Sequence, residues 1–84
     1  MRYLVVIEAT RTGYSAYAPD LPGCVSTGAT PAEVEANMRE AIDLHLRGLR
    51  VEGYDVPPPQ STAVYLEVTS PEPAAYRRRA GTHR

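Results

Sequence analysis

One stretch of this chain constrains the rest more than any other. Thr30-Pro31-Ala32-Glu33 opens a long helical pattern, and the pattern runs to Gly53. Thr30 suits the N-cap, where its hydroxyl accepts a free N–H of the first turn. Pro31 falls at the first helical position, where a missing N–H costs nothing. Glu33 falls at the third and can reach back to the N–H of the cap, closing a capping box. Val34, Met38, Ala41, Ile42, His45 and Leu49 then recur at steps of three and four, an apolar stripe fit to pack on a sheet. Glu35–Arg39 and Asp43–Arg47 are i,i+4 pairs with the acid first, the favourable order. The helix is expected to end near Glu52, with Gly53 in the left-handed conformation.

Everything else that is regular reads as strand. Arg2 to Ala9 alternates Tyr3, Val5 and Ile7 with Leu4, Val6 and Glu8, so both faces are apolar over most of its length. Thr10-Arg11-Thr12-Gly13 reads as a hairpin turn into a second strand, Tyr14 to Ala18. Pro19-Asp20-Leu21-Pro22-Gly23 breaks that strand, since its two prolines remove ladder donors. Cys24 to Thr27 is a short third strand stopped by Gly28. After Pro57-Pro58-Pro59, an extended link, Thr62 to Thr69 alternates Val64, Leu66 and Val68 with Ala63, Tyr65 and Glu67, as a last strand would.

The expected fold is therefore α+β, in the order β-β-β-α-β. An antiparallel sheet of three strands and a further strand carry one helix on one face. Residues 1–70 form the domain, and 71–84 read as a basic, flexible tail ending the chain of 84 residues. A single helix buries one sheet face, yet the first strand is apolar on both. Self-association or partner binding follows from that patterning.

Charge divides the chain the same way. Residues 1–70 hold five Arg against nine acids, a balance of −4, whereas 71–84 hold four Arg and one Glu, +3. An acidic body repels nucleic acid and attracts a basic protein. The apolar run Tyr3 to Ile7 is far short of the roughly 18 residues of a membrane span and too short for a signal-peptide core. No membrane contact is expected, and a cytoplasmic setting is the simplest one. The lone Cys24 has no intramolecular disulfide partner and no metal-ligand cluster around it, and nothing calls for a cofactor.

Gly13-Tyr14-Ser15-Ala16-Tyr17-Ala18-Pro19-Asp20-Leu21-Pro22-Gly23-Cys24 resembles the signature of the HicB-like antitoxin family. Gly28, Thr30, Glu33, Asn37, Arg39 to Ile42, Leu44 to Leu46, Gly53 and Pro57 to Pro59 extend the likeness over residues 3–69. The resemblance implies a partial ribonuclease H-like fold. It implies a partner, a small, basic HicA-like toxin that cleaves mRNA and whose active site the antitoxin hides. It implies dimers or tetramers of a bacterial protein. Many members carry a DNA-binding domain after the last strand, but the fifteen residues after Thr69 do not hold a helix-turn-helix, so DNA binding is not carried over.

Candidate surfaces follow. Tyr17, Pro19, Asp20, Leu21, Pro22, Gly23 and Cys24 are the expected partner contacts. Tyr54, Val64, Tyr65 and Leu66 are the expected oligomer interface, in a chain whose aromatic residues are all Tyr. For Asp20 a plainer account is a local Asx-type turn, and for Cys24 a small buried strand residue. Two other functions stay open. One is an oligomeric scaffold without a toxin. The other is a residual metal-dependent nuclease using Glu8, Asp20 and Glu40, although nothing in the sequence shows these to converge. No catalytic residue is assigned, and His45 reads as part of the helix stripe.

Overall fold

The computed structural model describes residues 1–70, so the tail expected over 71–84 lies outside the described residues. Three strands form an antiparallel sheet in the order β1-β2-β3, with β1 at Val6–Ala9, β2 at Tyr14–Tyr17 and β3 at Val25–Gly28. One helix, α1, spans Pro31–Glu52. This is the expected α+β fold, with one helix laid on one sheet face.

The helix begins and ends on the residues whose chemistry marks it. Thr30 Oγ1 accepts from the Glu33 N–H at 3.1 Å. Glu33 reaches back in turn, but its carboxylate takes the N–H of Ala29, one residue before the cap, and not that of Thr30. At the other end Gly53 has φ 77°, and the N–H groups of Gly53 and Tyr54 close on the carbonyls of Arg50 and Leu49. That is a Schellman ending, which satisfies two otherwise free carbonyls. Asp43 and Arg47 pair at 2.6 Å, while Glu35 and Arg39 stand 3.7 Å apart. Both pairs are exposed and contribute little to stability.

Register sorts the two sheet faces. Ile7 lies opposite Ala16, and Ala16 opposite Ser26, so these residues share the face beneath the helix. Ala16, Ala18, Leu21, Cys24, Val34 and Met38 form the buried core there, with Tyr3, Val5, Tyr14, Ala41, Ile42 and Leu46 packed around it. Gly28 lets the layers close. A Cβ at that position would stand 2.5 Å from the Val34 nitrogen and 2.8 Å from its Cα. Gly28 does not stop β3 as expected but is its last residue, paired with Tyr14.

Two expected strands come out differently. β1 begins at Val6, not Arg2, because Val6 pairs with Tyr17 and β2 ends there. Further pairing would place β1 against Pro19, which has no N–H to offer and lies in a turn. The expected strand Thr62 to Thr69 pairs with nothing among the described residues, and 62–69 are exposed throughout. Its alternating pattern suits a sheet edge, but no edge of its own body receives it.

Candidate functional site

The loop between β2 and β3 is two consecutive tight turns. Leu21 N–H closes on Ala18 C=O at 3.0 Å, and Cys24 N–H closes on Leu21 C=O at 3.0 Å. Each turn has proline at its second position, and the second has Gly23 at its third with φ 84°. Proline pre-sets φ, and a positive φ at the third position is what a type II turn requires. Leu21, fully buried, plugs the core from within this loop, and Cys24 is buried beside it. Of the expected partner contacts, Tyr17, Pro19, Pro22 and Gly23 are exposed and Asp20 is half-exposed. Leu21 and Cys24 face inward and hold the loop in shape.

Asp20 works over a long range. Its carboxylate accepts the N–H of Gln60 and the N–H of Ser61, both at 2.8 Å, and the Ser61 hydroxyl at 2.7 Å. The expected local Asx turn is thus replaced by a tether to a segment forty residues on. These bonds, the Ser61 hydroxyl foremost, hold the Asp20 carboxyl below the ordinary aspartate range. Nearby, the Tyr3 hydroxyl donates to the Pro57 carbonyl. Pro57 is itself the first anchor, and Pro58 and Pro59 between it and Gln60 leave the link little freedom.

On the sheet face away from the helix, Val6, Tyr17 and Val25 lie side by side across the three strands. Tyr17 is 41% and Val25 63% exposed. The sequence marked Tyr17 but not Val25. The signal was there in the register, since Val25 opposes Tyr17 once Pro19 to Gly23 is read as a compact loop.

A groove of about 610 Å³ runs between β1 and α1. Tyr3, Val5 and Ile7 form one wall and Met38, Ile42 and Leu46 the other, with Arg2, Glu35, Arg39 and Asp43 around it. The helix lies mainly over β2 and β3, so the β1 side of the sheet is left open. Sequence reasoning did not single out this groove. Beyond it, Tyr54, Val64, Tyr65 and Leu66 are all exposed, as an interface set must be in a lone chain. Glu8, Asp20 and Glu40 do not converge. Among the described residues no three His, Cys, Asp or Glu side chains are grouped so as to hold a metal ion. Within the same residues no helix is long and apolar enough to cross a membrane.

Comparison with known proteins places this arrangement. A protein of Haemophilus phage HP1, described as an uncharacterized 14.9 kDa protein, is 35% identical over 72 residues, which is 86% of this chain and 53% of that protein. A UPF0150 protein of Thermoplasma acidophilum is 34% identical over 58 residues, 68% of this chain and 84% of that one. The chain thus spans about half the length of the phage relative. Among solved structures, a chain of a complex described as the HicA3 and HicB3 toxin–antitoxin complex matches with a TM-score of 0.63 and 37% identity, over 70% of each chain. The profile of the HicB-like antitoxins of bacterial toxin–antitoxin systems matches residues 3–75, and the chain belongs to that family.

Proposed function

We propose that this chain is the antitoxin of a toxin–antitoxin pair. It binds a small, basic, HicA-like toxin and neutralises it by covering the site at which the toxin cleaves mRNA. The reading is carried by the likeness, at 37% identity, to a chain of a HicA3–HicB3 complex. The chemistry of the body agrees with it. Residues 1–70 carry a net −4, which favours a basic protein over nucleic acid. The row Val6, Tyr17, Val25 offers an apolar patch with an aromatic anchor, the make-up of an interface centre. Beside it the exposed Pro19, Pro22 and Gly23 stand in a turn stiff enough to need little ordering on binding. In this reading the chain performs no chemistry and acts by occlusion in the cytoplasm.

Co-expression tests this directly. The tagged chain is produced together with whatever small basic open reading frame adjoins its gene, and absence of one counts against the reading. A stoichiometric complex, together with growth arrest and RNA cleavage by the neighbour alone, supports the reading. If the neighbour neither binds nor cleaves RNA, the antitoxin role is lost. A second reading, an oligomeric scaffold without a toxin, then takes its place. The exposed apolar side chains of 62–69 favour that one.

A further inference from the structure

We infer that Asp20 is a positioning residue, which latches residues 57–61 to the loop after β2 and so aims residues 62–69, and that it governs toxin binding through that aim without touching the toxin itself. Its bearing on the toxin rests on the antitoxin role proposed above, whereas its bearing on 62–69 does not.

The carboxylate is already occupied inside the chain. Oδ2 accepts the N–H groups of Gln60 and Ser61, both at 2.8 Å, and Oδ1 accepts the Ser61 hydroxyl at 2.7 Å. A carboxylate offers about four acceptor positions, so three donors leave little for a partner. The bonds are charge-assisted, the stronger kind. They stand in water, and both sides are ordered before they form. The N–H groups of Leu21 and Cys24 close the turns around Asp20 on the carbonyls of Ala18 and Leu21. On the other side Pro58 and Pro59 restrict the chain that delivers Gln60 and Ser61. Little freedom is then lost when the two sides meet.

The place of the latch gives it its consequence. The chain leaves α1 through the N–H groups of Gly53 and Tyr54, is held again at the Pro57 carbonyl by Tyr3, and then at Ser61 by Asp20. Beyond Ser61, residues 62–69 are exposed and pair with no strand among the described residues. Ser61 is thus the pivot of the exposed run. Without Asp20 the pivot retreats to Pro57, which frees residues 58–61, about 13 Å of extended chain. The latch also joins two exposed surfaces. Pro19, Pro22 and Gly23 stand on one side of it, and Val64, Tyr65 and Leu66 on the other. A partner that spans both meets them at a set spacing and has less chain to order, which raises affinity without a new contact.

The test uses the full chain with Cys24→Ala and a nitroxide on Glu67→Cys, an exposed position. With Asp20 and Ser61 in place, the label should broaden one defined set of amide signals of the body. Asp20→Ala should spread the broadening, and Ser61→Ala should do so in the same sense. Ser61→Thr, which keeps both donors, should keep the native set. A residue that served stability alone would lower the melting temperature and leave the set unchanged, and that result overturns the aiming role. Calorimetric titration with the co-expressed toxin reads the rest. Both alanine variants should weaken binding. Asp20→Ala/Ser61→Ala should bind within about twofold of Asp20→Ala, since removing one end of a latch disables the other. Losses that multiply, or a loss for Asp20→Ala with none for Ser61→Ala, would put Asp20 against the toxin and overturn the positioning role. Unchanged affinity in Asp20→Ala beside a spread broadening overturns its control of toxin binding. If the native chain captures no toxin, the antitoxin reading falls, and the label alone decides the aim of 62–69.

Discussion

Ser61 gives Asp20 both of its donors, the backbone N–H at 2.8 Å and the hydroxyl at 2.7 Å. The pair joins the loop after β2 to the start of the segment that leaves the body. One carboxylate therefore links a loop closed by two turn hydrogen bonds to the root of an exposed stretch. It does so beside a triple proline that cannot absorb much bending. The direction in which 62–69 departs is a property of this contact.

The contact has a definite pH dependence. The folded Asp20 carboxyl ionises below the ordinary aspartate range because the ionised form accepts these bonds. Ionised Asp20 therefore stabilises the fold above that range, and the contribution fades as pH falls through its lowered pKa. In an NMR titration the amide signals of Gln60 and Ser61 should move together, at a pH below that at which an unpaired aspartate titrates. Asp20→Asn should abolish the movement. Movement at the ordinary aspartate pH would mean that the bonds are not held in solution.

Two glycines give opposite expectations. Alanine at Gly28 puts a Cβ 2.5 Å from the Val34 nitrogen, a backbone atom that cannot swing aside. Overpacking of this kind costs about 1–3 kcal/mol. Gly48 lies within α1 with nothing within 4 Å of a built Cβ. Gly48→Ala should stabilise by about 0.5–1 kcal/mol through helix propensity. Urea denaturation of the two variants beside the parent checks both signs. Equal shifts would mean that β3 and the helix start are not in close contact.

Core truncation should be severe for so small a domain. Met38 is 1% exposed and sits at the centre of the helix face. Met38→Ala removes about 2–5 kcal/mol, a large share of the total for a domain of this size. Thr30→Ala, which removes only the cap acceptor, should cost about 1 kcal/mol. Thermal melts that rank the two the other way round would move the packing centre away from Met38.

The elements most legible in the sequence are those written in local chemistry. Thr30, Pro31 and Glu33 start the helix and Gly53 ends it, because capping depends on residues within one turn. The Pro19–Gly23 loop is legible for the same reason. What failed was non-local. The start of β1 depends on where β2 ends, and the sequence of β1 does not contain that. The alternation in 62–69 marks a strand without naming its partner edge. Asp20 looked like a local turn residue because its donors, Gln60 and Ser61, lie on the far side of the helix in sequence. The groove was invisible because it depends on where the helix lies over the sheet, and residue spacing does not state that.

Cys24 should be chemically quiet. It is buried, and burial raises its thiol pKa by disfavouring the thiolate, the form that reacts. Alkylation by iodoacetamide at mildly alkaline pH should be slow in the native protein and fast in denaturant. Readily labelled native protein would open the loop around Leu21, and with it the rigid surface assigned to partner binding.

The row Val6, Tyr17, Val25 yields the sharpest test of the antitoxin reading. Tyr17 and Val25 are exposed, so a change there need not disturb the core. Tyr17→Ala removes the aromatic anchor, and loss of such a residue costs about 2 kcal/mol or more, about thirtyfold in affinity. Val25→Asp places a charge on the same patch and should weaken toxin capture further. Both variants should melt close to the parent temperature. Calorimetric titration with the co-expressed toxin would show the loss. If both variants bind as tightly as the parent while changes in the Pro19–Gly23 loop abolish binding, the loop alone meets the toxin. The open sheet face is then free for another occupant.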